Sequence, residues 1–276
     1  MSYTLKSILF WFISFLLMAS AAIYQRTTGP TYPVRGTIVI DNEEIKYRLI
    51  RTWEGDTKAE VKIKVINEQI LGKYRFKRFK SHDEWSEPIP MQRDGEMLVA
   101  KLPNLPPAGK IQYEVFLGKE NNLTLVTKKT LILRYKGVVP QWALIPHIIV
   151  MFLAMMFATR TGFEALIKGK YLKNYALFTV ILFGFGGFLF GPIMQKYAFG
   201  VYWAGWPFGT DLTDNKSLAT FVIWLIAWLQ IRKNPNRRWW VYAAVVVLFI
   251  TFIIPHSTMG SEIDFTQTEA PLQLID

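Results

Sequence analysis

Five stretches free of Asp, Glu, Lys and Arg constrain this chain more than any other feature: residues 7–25, 137–159, 174–195, 217–231 and 239–261. A bilayer core of about 30 Å takes about 20 mostly apolar helical residues to cross. Four of the runs meet that length. The fourth holds 15 residues and reads as a span if Lys216 and Arg232 snorkel outward or the lipid thins locally. A composition that is 51% hydrophobic and 15% aromatic agrees with a membrane class.

The sequence has no cysteine, which removes disulfides, thiolate metal sites, a cysteine nucleophile and covalently attached c-type haem. The net charge of +11 does not point to nucleic acid, because the basic residues outside 26–136 fall mostly in short loops between apolar runs. The segment RTGFEALIKGKYLKN (160–174) carries Arg160, Lys168, Lys170 and Lys173 against Glu164, and RKNPNRR (232–238) carries Arg232, Lys233, Arg237 and Arg238 with no acid. Short loops of this kind stay cytoplasmic. An inside N-terminus follows, with residues 26–138, the loop 196–216 and the C-terminus outside. The outer loop pairs Lys196 and Lys216 with Asp211 and Asp214, and the tail holds Glu262, Asp264, Glu269 and Asp276 with no base.

The first run also resembles a secretory signal, since Lys6 precedes the apolar stretch and Ala19-Ser20-Ala21 has the small residues of a cleavage site. A retained anchor is favoured because the run nearly spans a bilayer. Either reading puts residue 26 outside. The expected organisation is therefore an N-terminal transmembrane anchor or signal peptide (1–25), an extracytoplasmic domain (31–136), a four-helix transmembrane bundle (138–262) and an outer tail (263–276). The expected location is an envelope membrane, of the bacterial inner-membrane kind.

Residues 31–136 change period. AEVKIKVI sets Val61, Ile63 and Val65 on one face and Lys62 and Lys64 on the other, and KIQYEVFL does the same with Ile111, Tyr113, Val115 and Leu117. Alternation of this kind marks half-buried antiparallel strands. Further candidates are GTIVI, EIKYRLI, KYRFKRF, EMLVAKL, NLTLV and KTLILRY, separated by turn signals such as DNEE, EGDT, RDG and PPAG. Seven or eight short strands predict an antiparallel β-sandwich. The stretch LPNLPPAGKIQYEVFL, with Tyr113 in the corner position, resembles the tyrosine corner of fibronectin type III and immunoglobulin-like domains. That resemblance covers this domain alone and implies a fold class and no activity. The fold class expected for the whole chain is α+β: five transmembrane helices with an inserted extracytoplasmic sandwich.

Chemistry has few candidates. His82 lies in a polar turn, SHDEWSEP. His147 and His256 each close an Ile-Pro-His tripeptide, near the start of the second span and the end of the fifth, so the topology puts both near the outer interface. Each is read in two ways, as a residue facing water or headgroups, or as one of two ligands facing each other across the bundle. Two such imidazoles suit a haem b iron, or part of a divalent metal site. Asp211, Asp214, Glu262 and Asp264 are the nearest acids and complete the candidate metal set with His147 and His256. For Asp211 and Asp214 the competing reading is capping, since Thr210 to Asp214 has the pattern of a helix N-terminus. Gly187 and Gly191 form a small-xxx-small pair suited to close packing between helices. Tyr202, Trp203, Trp206 and Phe208 read as an interfacial aromatic belt. No phosphate-cradling loop, HExxH or GxSxG motif is present.

Two functions follow as expectations. The first is an accessory or scaffolding subunit of a membrane complex, embedded in the lipid bilayer, whose outer sandwich binds other membrane or envelope proteins. The alternative is a membrane redox or metal-dependent protein with haem b or a divalent metal at His147 and His256.

Overall fold

The computed structural model describes residues 3–120, 122–256 and 258–267. They divide into a helical unit, Met1–Pro30 with Val139–Ser261, and a β unit, Thr31–Val138 with the chain from Glu262 onward. The expected outer tail beyond residue 267 lies outside the described residues.

In the β unit the period of two becomes structure. The strands are β1 (Val34–Ile40), β2 (Glu43–Leu49), β3 (Thr52–Glu54), β4 (Ala59–Lys64), β5 (Leu71–Arg78), β6 (Ile89–Pro90), β7 (Gln92–Asp94), β8 (Met97–Leu102), β9 (Lys110–Lys119), β10 (Asn122–Leu125) and β11 (Leu131–Lys136). All eight alternating segments form strands. β3, β6 and β7 are two or three residues long, too short to leave a pattern. The strands build three sheets: β1 with β2; β3-β11-β9-β5-β6 with β10 also on β9; and β4-β8-β7. Every pairing is antiparallel except β11 with β3.

Inward residues of all three sheets share one core, including Ile45, Leu49, Val61, Ile63, Phe76, Leu98, Ile111, Val115, Leu117 and Leu133. Burying each large aliphatic side chain contributes about 1.5–3 kcal/mol. β1 and β2 join through Asp41 and Asn42, both at positive φ (51° and 63°), the backbone a two-residue type I′ hairpin requires. Opposite each other in that hairpin are Gly36 and Tyr47, and the Tyr47 ring lies where a side chain at 36 would sit.

Tyr113 is buried, but its hydroxyl donates to Ile50 O (2.7 Å), 63 residues away. A tyrosine corner instead bonds back to backbone a few residues upstream, so the bond implied by the resemblance is not made. After the helical unit the chain rejoins this core: Ile263 N–H donates to Ala108 O, and Phe265 packs against the buried strands.

The helical unit contains α1 (Tyr3–Thr28), α2 (Gln141–Leu166), α3 (Leu172–Phe183), a π-helical segment (Gly184–Phe190), α4 (Gly191–Phe199), α5 (Leu212–Lys233) and α6 (Trp239–Ile253). Among the described residues three helices are long and apolar enough to cross a membrane: α1, α2 and the continuous rod 172–199. α6 is a shorter apolar helix, and α5 runs for 22 residues with its charges at the two ends.

Polarity is inverted relative to a water-soluble bundle. Ile8, Phe12, Ile149, Phe178 and Val246 are exposed, whereas Arg160, Glu164, Thr159, Thr161, Thr179, Asp211, Asp214, Lys216 and Thr220 are buried. Alanines 154, 158, 176, 227 and 244 line the interior with Trp224, so small side chains let the helices approach closely.

Two sequence expectations fail here. Arg160 and Glu164 are not loop residues: α2 continues to Leu166, and both side chains are 0% exposed. Lys216 does not snorkel outward: it is buried near the start of α5 and donates to Ile254 O (2.7 Å).

Candidate functional site

The densest polar organisation at one end of the helical unit centres on the first turn of α5, Asp211-Leu-Thr-Asp-Asn-Lys. A helix N-terminus leaves free amides, and Asp211 caps this one by accepting from Thr213 N–H (2.8 Å). Its other carboxylate oxygen accepts from both the N–H (2.6 Å) and the hydroxyl (2.8 Å) of Ser261. Asp214 accepts from Ala204 N–H (2.7 Å) and the Gln195 amide (3.0 Å). Asn215 accepts from Trp206 N–H (2.7 Å). Three polar side chains, Asp211, Asp214 and Asn215, thus tie the loop after α4 and the segment after α6 to one turn of helix. Gly205 permits the approach, since a Cβ there would lie 2.7 Å from Asp214 Cβ.

The π-helical segment positions His147. Pro192 lies at the start of α4. A proline within a helix lacks the N–H and clashes with the carbonyl one turn back, and a π turn is one way a helix accommodates such a break. Gly186 O accepts from Gly191 N–H in the wider i to i+5 pattern and also meets His147 Nδ1 at 3.0 Å. A carbonyl only accepts, so Nδ1 carries the proton in this bond and Nε2 keeps its lone pair.

His256 follows α6 and borders a small cleft with Gln25, Lys216, Thr220, Phe183 and Phe252. It lies within electrostatic range of His147, Lys216 and Asp211.

The helical unit thus gathers His147, His256 and Asp211 around one end, with Asp214 one turn along α5. Glu262 and Asp264 belong to the β unit. Burial pushes the Glu262 carboxyl up, but the Lys110 and Lys80 ammonium groups outweigh it and hold the group below its usual range. Asp264 is likewise held low, by the hydroxyl and N–H of Thr266. Among the described residues no three or more His, Asp or Glu side chains assemble as a metal-holding group.

A second polar cluster, missed by the sequence reading, sits at the other end of α2. Arg160 Nη2 lies 2.8 Å from Glu164 and 3.2 Å from Ser7 Oγ. The rings of Phe10, Trp11 and Tyr175 surround the guanidinium, 4.9–5.8 Å from its central carbon. Glu164 also accepts from the Tyr3 hydroxyl (2.8 Å) and Tyr171 N–H (3.0 Å). The signal was present: an i, i+4 Arg and Glu pair with no proline between them, downstream of an aromatic-rich first span.

No protein-family model, curated protein or solved structure matches this chain.

Proposed function

We propose that this chain is a polytopic envelope membrane protein, an accessory or scaffolding subunit whose helices cross the membrane and hold a β-sandwich on the outer side for a partner protein. The observation that carries this reading is the inverted polarity of the helical unit. Large aliphatic and aromatic side chains face outward on α1, α2, α3 and α6, a surface suited to lipid and costly in water. Several of the buried polar groups are engaged: Asp211 with Ser261, Asp214 with Gln195, Lys216 with the Ile254 carbonyl, and Arg160 with Glu164. Such contacts serve an anchor that has to be rigid.

In this reading α5 and α6 complete five spans. Lys168, Lys170 and Lys173, with the connection from Arg232 to Arg238, still mark the cytoplasmic side after Arg160 leaves the loop count. Crosslinking in membranes followed by purification in mild detergent is expected to yield a stoichiometric protein partner. A monodisperse monomer with turnover of its own would contradict the proposal.

A second reading, a membrane redox or metal-dependent protein, draws on His147. An imidazole that donates through Nδ1 to a backbone carbonyl and keeps Nε2 free has the arrangement of a metal ligand, and His256 lies in electrostatic range. This reading predicts stoichiometric iron, copper, zinc or manganese, or a Soret band, lost in both His147→Ala and His256→Ala. Metal-free protein without that band would remove it.

A further inference from the structure

The β unit blunts its sheet edges, with one exception. Natural sheets guard terminal strands by keeping them short, bulged or covered, because a bare edge invites another strand. The terminal strands β3, β6, β7 and β10 have three, two, three and four residues, and the longer terminal strands β2 and β4 lie against each other, whereas β1 has seven residues and pairs only with β2 among the described residues.

The register fixes what β1 offers. The residues flanking a two-residue hairpin loop, Ile40 and Glu43, form a hydrogen-bonded pair, and such pairs alternate along the ladder. Val34, Gly36, Ile38 and Ile40 therefore bond to β2. Arg35, Thr37 and Val39 direct their backbone N–H and C=O groups away from it, toward the open edge. Their side chains are exposed, with Val39 at 66%.

The exposed face is also electrostatically unfinished. Arg35 stands directly opposite Arg48, Thr37 opposite Lys46 and Val39 opposite Glu44, so the cations gather away from the hairpin tip, where the one acid of this face stands. Like charges opposite each other in a ladder are destabilising. Among the described residues none of these three cations is in an ion pair; Arg35 lies only over the Tyr32 ring.

We propose that β1 is a docking edge for an extended acidic segment of a partner protein, which adds a strand antiparallel or parallel to Val34–Ile40 and sets its carboxylates against Arg35, Lys46 and Arg48. Backbone bonds to residues 35, 37 and 39 give affinity, and the cation row selects acidic sequences. A lone edge arginine commonly guards against aggregation, but that role does not call for a second arginine opposite it and a lysine beside it. The inference rests on the partner-binding reading of the β unit and names the surface that performs it.

The test uses the full chain in detergent and a fluorescently labelled heptapeptide of alternating Glu and Val, measured by anisotropy, with a Gln-for-Glu peptide and a backbone N-methylated peptide as controls. Saturable binding is expected for the acidic peptide alone. Thr37→Pro should weaken it by about tenfold or more, the scale of one or two lost backbone hydrogen bonds. That substitution removes an outward N–H and leaves the β1–β2 ladder in place. The pair Arg35→Glu with Arg48→Glu should reverse the preference toward a Lys and Val peptide, which keeps the inference testable should the proline variant fail to fold.

No saturable binding, or binding indifferent to both variants, overturns the inference. A dimer of this chain that Thr37→Pro dissociates, without peptide binding, also overturns it and identifies a second copy as the occupant. A partner that still co-purifies with the peptide-silent variants would sink the edge alone and leave the scaffold reading standing.

Discussion

At the scale of single residues, Arg160 and Glu164 make the sharpest demands, because two charges with no solvent contact depend on each other, on Tyr3 and Ser7 of α1, and on Tyr171 and Tyr175 at the start of α3. Removing one partner of a buried pair typically costs about 3–5 kcal/mol, while replacing both with apolar residues is often neutral or better. Arg160→Ala should therefore lower the unfolding midpoint in detergent strongly, and Arg160→Met with Glu164→Leu should recover most of the loss; equal damage from both would refute the pair's role. In the β unit, hydrogen bonding from the Arg78 guanidinium holds Asp83 below the usual carboxylate range. A depressed carboxyl adds stability above its unfolded pKa of about 3.9 and loses it as pH falls through the folded value. Asp83→Asn should destabilise by about 1 kcal/mol at neutral pH, and the gap from the wild type should close in titrations below about pH 4. The capping of α5 by Asp211 was legible, because Thr-Asp-Leu-Thr-Asp is a local signal that needs no tertiary partner. The burial of Arg160 and Lys216 was not. A charge count treats every base beside an apolar run as a solvated loop residue, whereas Phe10, Trp11, Tyr175 and the Ile254 carbonyl make the interior hospitable only after the helices pack.

At the scale of elements, the strands were legible because alternation is enforced locally by a two-sided sheet: Val61 and Ile63 cannot be buried without exposing Lys62 and Lys64. The three sheets and the parallel pairing of β3 with β11 depend on long-range partners and left no local mark. Neither did the π-helical segment, though Gly184, Gly186 and Gly187 before Pro192 are the residues that permit it. The loop between α4 and α5 is positioned by backbone contact at Gly205. A Cβ there meets the Asp214 backbone-proximal Cβ and cannot be relieved by a flexible chain end. Gly205→Ala should cost about 1–3 kcal/mol in detergent unfolding and should loosen the Trp203 to Trp206 segment, raising proteolysis there. Gly95→Ala, at φ 55° with nothing within 4 Å, should cost about 1–2 kcal/mol through backbone strain alone and leave the Trp203 to Trp206 segment unchanged. Proteolysis at that segment no higher in Gly205→Ala than in Gly95→Ala would contradict the close approach.

For the whole molecule, two kinds of chain coexist, and hydropathy separated them because lipid and water select opposite surfaces. The α+β class came from the uncharged runs together with the alternation in 31–136, and three of the five runs lie in helices long and apolar enough to cross a membrane. What the runs could not give is which helix faces which, and hence the two polar clusters. The proposed function requires the helical unit to lie in lipid, with its Lys- and Arg-rich connections in the cytosol and the β unit outside. A chain without cysteine allows that to be tested cleanly with two single replacements at exposed positions, Lys128→Cys in the β unit and Asn234→Cys between α5 and α6. In intact cells stripped of their outer barrier, a membrane-impermeant maleimide should label position 128 at once and position 234 only after lysis; labelling of 234 from outside, with 128 protected, would contradict the account.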